Sequence, residues 1–210
     1  MAYGYLGQNT PNQTVNNSGV FSITDSADLE SQGSLGGSLE LIEEQTVSSV
    51  STVDFTSIKE NIYDVHYMQV SNLQISDSGS NQVKIRFYES GVLETASVYR
   101  YSYQRGDSNN AFGEEKLPTA SNLLQFRNFG SADSNASASG YSYFYNLGNN
   151  AKYSFQTMHS SYLDNSSNAE FCFGGGALPQ ASTVDGIQLV SAAGTISATI
   201  KLYGVKQWVT

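Results

Sequence analysis

From residue 38 onward the chain consists of short runs of β-branched and aromatic residues, separated by clusters of Gly, Asn, Ser and Asp. This is the pattern of strands joined by turns. It predicts strands near residues 38–45, 49–56, 63–75, 82–89, 93–103, 122–128, 141–146, 152–159, 169–173, 186–191 and 196–206. Alternation is clearest in Val83, Ile85 and Phe87 against Lys84, Arg86 and Tyr88. It returns in Ile196, Ala198, Ile200 and Leu202 against Ser197, Thr199, Lys201 and Tyr203. Successive strand residues face opposite ways, so Val83, Ile85, Phe87, Ile200 and Leu202 are expected inward and Lys84, Arg86 and Lys201 in water.

Few amphipathic helices separate these strands, which disfavours parallel strands with helical crossovers and predicts antiparallel pairing. The expected fold class is all-β: an antiparallel β-sandwich, a jelly roll of about eight to ten strands, with long loops such as residues 106–121. An immunoglobulin-like sandwich is the rival. It is weaker because Trp208 sits at the C-terminal end and the single cysteine cannot supply that fold's cysteine and tryptophan spacing.

Residues 1–37 read differently. They are rich in Asn, Gln, Ser, Thr and Gly, and their scattered apolar side chains cannot build a core alone. Residues 22–32 read as one short helix, with Thr24 or Asp25 as cap, Asp28 and Glu30 near its positive end and Gly33 as its stop. The segment is expected to be an extended N-terminal anchoring arm. Tyr3, Tyr5, Leu6, Val20, Phe21, Ile23 and Leu29 would settle into a neighbouring surface, and residues 38–210 would form the β-sandwich body.

Charge narrows the partners. Ten Lys and Arg stand against 19 Asp and Glu, a formal net charge of −9, and no basic run occurs, so no nucleic-acid partner is expected. No stretch approaches the roughly 20 apolar residues of a membrane helix, and Met1-Ala2-Tyr3-Gly4-Tyr5 does not open an export signal. Neither membrane insertion nor secretion is expected, and without export the glycosylation sequons at Asn12, Asn16, Asn135 and Asn165 carry no weight.

Catalytic and metal chemistry finds little support. His66 and His159 lie in predicted strands without Cys, Asp or Glu at ligand spacing, and read as solvated strand residues. Cys172, in Phe171-Cys172-Phe173, reads as a buried thiol. No Gly-x-Ser-x-Gly elbow is present. Glu43-Glu44 and Glu114-Glu115 read as solvated charges, and Gly174-Gly175-Gly176 as a hinge or tight crossing rather than a phosphate cradle. The acidic loop 164–168 lacks the spaced ligands of an EF-hand. No cofactor is expected, and the chain is expected not to be an enzyme.

Tyrosine is the most suggestive residue type, with 14 in the chain. Tyr99, Tyr101 and Tyr103 alternate along one strand, and Tyr141, Tyr143 and Tyr145 along another. Such a row suits cross-strand packing within a sheet, a subunit interface, or a platform for a glycan.

The opening Tyr3-Gly4-Tyr5-Leu6-Gly7 and Asn17-Ser18-Gly19-Val20-Phe21-Ser22-Ile23 resembles the start of tail-fibre-like and virion-associated proteins of marine tailed phages. Phe173-Gly174-Gly175-Gly176, Val184-Asp185-Gly186-Ile187-Gln188-Leu189, Gly194 and Ile200-Lys201-Leu202-Tyr203-Gly204-Val205 are similar to the closing strands of jelly-roll virion proteins from such phages. Val53-Asp54-Phe55 with Tyr63-Asp64-Val65-His66 is a weaker likeness. The resemblance implies a bacteriophage structural protein, a capsid decoration or tail fibre, made in the host cytoplasm and located in the virion. It implies partnership with itself as a homotrimer and with other capsid or tail proteins; a host glycan is the alternative partner.

Overall fold

The computed structural model describes Thr24 and residues 38–77, 79, 81–129, 136–164 and 166–206, with Asn128 by its backbone alone. Compactness divides the chain into Met1–Glu40 and Leu41–Thr210, and the architecture below is that of the second unit. The arm residues Tyr3, Tyr5, Leu6, Val20, Phe21, Ile23 and Leu29 lie outside the described residues. So does the expected helix, apart from Thr24, which is helical and exposed.

The strands are β1 (Leu39–Val50), β2 (Thr52–Phe55), β3 (Val65–Ile75), β4 (Asn81–Glu89), β5 (Val92–Leu93), β6 (Tyr99–Asp107) and β7 (Phe112–Ala120). They continue with β8 (Leu123–Phe129), β9 (Ala138–Tyr145), β10 (Ser154–Leu163), β11 (Ala169–Leu178), β12 (Val184–Ser191) and β13 (Ile196–Val205). A large sheet of eight strands has the order β1-β13-β3-β9-β10-β11-β6-β7. A smaller sheet runs β2-β12-β4-β5, with β8 also paired to β4. Pairs of defined register are antiparallel.

Within this order lies a jelly roll. β1-β13-β3-β9 of the large sheet faces β2-β12-β4-β8 of the small one, and the chain switches sheets at every step of that frame except β4 to β8. Two excursions interrupt it. The segment β5–β7 leaves between β4 and β8, and the hairpin β10–β11 leaves between β9 and β12. Together β10, β11, β6 and β7 widen the large sheet beyond β9.

The core fills the space between the sheets. Val83, Ile85 and Phe87 of β4, Ile200 and Leu202 of β13, and Met68 and Val70 of β3 are buried, as period-2 alternation predicts for the first two strands. Lys201 reaches water and pairs with Glu44 at 3.2 Å. Lys84 and Arg86 are half-buried instead, because β8 and the segment before it pack beside β4 and the Ser121 carbonyl accepts from Arg86 Nε at 3.3 Å.

The body also holds a polar knot. Gln125 Oε1 accepts from Ser142 Oγ and, at 3.1 Å, from Gln156 Nε2, which also donates to Ser142 Oγ at 2.9 Å. Buried amides must find such partners, since an unpaired one costs about 1–3 kcal/mol.

Three expectations change. Residues 106–121 are not a long loop: β7 runs through them as the edge of the large sheet, carrying the charges and proline that suit an unpaired edge. Gly174-Gly175-Gly176 is a tight crossing and not a hinge, since β11 continues through it. A Cβ at Gly174 would stand 2.4 Å from the Ser102 carbonyl oxygen and one at Gly175 2.5 Å from that of Gln156, so neighbouring backbones demand glycine. The predicted strand 93–103 divides into β5 and β6.

Candidate functional site

The two tyrosine ladders face opposite sides of the large sheet. Tyr99, Tyr101 and Tyr103 are 0%, 9% and 4% exposed and point into the body, which removes them as an interface or glycan face. Each hydroxyl finds a partner inside. The Phe87 N–H donates to Tyr99 Oη at 2.9 Å, and Tyr103 Oη donates to Glu115 at 2.5 Å. Burial is the main cause raising all three phenols, Tyr101 to about 12. Glu115 is accordingly not a free solvated charge, for it also pairs with Arg127 at 3.4 Å.

Tyr141, Tyr143 and Tyr145 lie on the outer face, where Tyr141 is 40% exposed and the other two are half-buried. Register brings more tyrosines beside them: Tyr203 of β13 stands opposite Tyr67 of β3, which stands opposite Tyr143 of β9. Tyr67 is the hub. Its ring centroid is 5.0 Å from that of Tyr143 and 5.9 Å from those of Tyr141 and Tyr203. Desolvation and then the neighbouring phenols raise its pKa. Tyr141 continues the cluster to His159 on β10 at 5.6 Å.

The aromatic surface extends onto the widening strands. Phe155 of β10 and Phe171 and Phe173 of β11 point outward and are exposed. The last two stack with centroids 6.2 Å apart and planes 9° from parallel. The only Asp, Glu, Lys or Arg in β3, β9, β10 and β11 is Glu170, which turns inward to accept from Tyr162 Oη at 2.7 Å and Arg105 at 3.2 Å. In a chain with 14% charged residues, four adjacent strands thus present an uncharged, ring-rich face.

Residues suited to catalysis are dispersed or satisfied. His66 is buried, not solvated as the sequence suggests: its Nε2 donates to the Ile58 carbonyl at 2.8 Å, Nδ1 has no hydrogen-bond partner, and desolvation lowers its pKa. His159 stands on the other face of the large sheet, exposed beside Tyr141. Cys172 is buried, and desolvation pushes its thiol up to about 12. Asp164 spends its carboxylate on its own turn, accepting from the Ser166 and Asn168 N–H groups at 2.8 Å. Among the described residues no group of three or more His, Cys, Asp or Glu could hold a metal ion.

Sequence reading missed Tyr67, Phe155, Phe171 and Phe173 as parts of this face. One signal was present. If Cys172 is buried, period 2 sends Phe171 and Phe173 outward. Comparison of the chain with family models, with curated proteins and with solved structures gives no match.

Proposed function

We propose that this chain is a non-catalytic structural component of a larger particle, a capsid decoration or fibre protein of a tailed-phage virion. Residues 1–37 attach it, and the jelly-roll body assembles with copies of itself as a trimer. The observation that carries this reading is the uncharged aromatic face of β3, β9, β10 and β11. Interface cores are depleted of charge and enriched in aromatic rings. A chain of net charge −9 needs such a neutral face before like copies can meet. The virion itself rests on the sequence resemblance.

Deleting residues 1–37 tests the division of labour. The shortened chain should remain soluble and folded by circular dichroism yet be missing from purified particles; incorporation at full occupancy contradicts the anchoring role.

A second reading, recognition of a host-surface carbohydrate, is favoured by one specific feature. Phe171 and Phe173 present parallel, exposed rings next to the polar side chains of β6 and β7.

A further inference from the structure

On the outer face of the widening strands, three shallow hollows of about 490, 310 and 690 Å³ follow one another. The first two share Gln104, Glu114 and Phe173, and the second and third share Ser102, Lys116 and Gly175. They form one trough along β6.

Register explains its shape. Three outward rows cross β11, β6 and β7: Phe171–Gly106–Phe112, Phe173–Gln104–Glu114 and Gly175–Ser102–Lys116. Each centre is smaller than at least one flank, so the middle strand is the floor. At one end a Cβ on Gly106 would meet the Phe171 and Phe112 rings at 2.7 and 2.9 Å, so the two rings close over the glycine. Toward the other end Gly175 leaves the β11 flank low. With strands about 4.8 Å apart, the flanks stand roughly 10 Å from each other, and the span from Phe112 to Pro118 is about 20 Å.

We infer that this trough is a binding site for an extended carbohydrate chain, the location at which the second reading above would operate and on which this inference rests. The negative face of an aromatic ring attracts the weakly positive C–H face of a sugar, and Phe171 and Phe173 place two parallel, partly exposed rings on the β11 flank. Sugar hydroxyls need donors and acceptors, which Ser102, Gln104 and Glu114 supply on exposed positions.

Charge and hydrogen bonding select this occupant over others. Outward Arg100 and Lys116 against Glu114 make the trough locally positive on a chain of net charge −9, so neither a neutral nor a uronic sugar is repelled, whereas nothing here matches a polyphosphate. The floor strand is already paired on both sides, to β11 and β7. An extended peptide would therefore find no backbone groups for the N–H and C=O repeated along its main chain, a repeat that a glycosidic backbone does not have.

Isothermal titration of the full chain with linear glucose, N-acetylglucosamine and uronic-acid oligomers tests the site. At least one series should bind, and Phe171→Ala with Phe173→Ala should weaken it tenfold or more. Gln104→Ala, exposed and remote from the core, should weaken it as well and serves as the variant if the first fails to fold. Undiminished binding in these variants overturns the trough while sparing carbohydrate recognition elsewhere. Absence of binding to all three series overturns both, and leaves the assembly reading standing.

Discussion

His66 is a titratable side chain held out of water, with one ring nitrogen bonded to the Ile58 carbonyl and the other unpartnered. Burial lowers its pKa from 6.5, so folding favours the neutral ring. Above that value the two states bind the same number of protons here. As pH falls below 6.5, the unfolded chain takes up a proton that the folded chain refuses, and stability drops until the folded pKa is reached. Thermal melts between about pH 7.5 and 5.5 should show a loss of stability on acidification that His66→Gln removes. Equal pH profiles for the two proteins would mean that His66 is hydrated in the folded state. Its burial was illegible in the sequence, because the Ile58 carbonyl that receives its proton comes from the turn before β3, and spacing does not announce that contact.

At the scale of the strand, the two ladders show what alternation can and cannot settle. Tyr99-Arg100-Tyr101-Ser102-Tyr103 and Tyr141-Ser142-Tyr143-Phe144-Tyr145 look alike, yet they turn opposite faces inward. The interleaved residues decide. Arg100 and Ser102 prefer water and drive the first set of tyrosines inside, whereas Phe144 claims the inner side of β9 and turns the second set out. That comparison was available in the sequence. The continuation of β11 through three glycines was not, because the reason is the close approach of β6 and β10. Tyr103→Phe should lower stability by about 1.5–3 kcal/mol by removing the hydrogen bond to the Glu115 carboxylate, whereas Tyr141→Phe should stay within about 0.5 kcal/mol. Chemical denaturation of both variants distinguishes the inner ladder from the outer; equal losses would contradict the assignment of faces.

For the molecule as a whole, the all-β class and the sandwich follow from strand grammar, and β3, β4, β8, β12 and β13 lie close to the predicted segments. The jelly-roll frame is a matter of long-range pairing, such as β13 between β1 and β3, which local pattern does not encode. The outer side of the large sheet faces away from the smaller sheet, and the hairpin β10–β11 adds two strands without outward charge beside β3 and β9. This is how a chain with so acidic a balance comes to carry a broad neutral face.

Sedimentation of the full chain across a range of concentrations, beside a variant carrying Tyr141→Asp and Tyr143→Asp, measures that association directly. Both positions lie on the outer face, so the substitutions should leave the core intact. The predicted result is a three-chain species for the unaltered protein and a folded single chain for the variant. A single chain at every concentration, or a trimer that survives both substitutions, would contradict assembly through the tyrosine face.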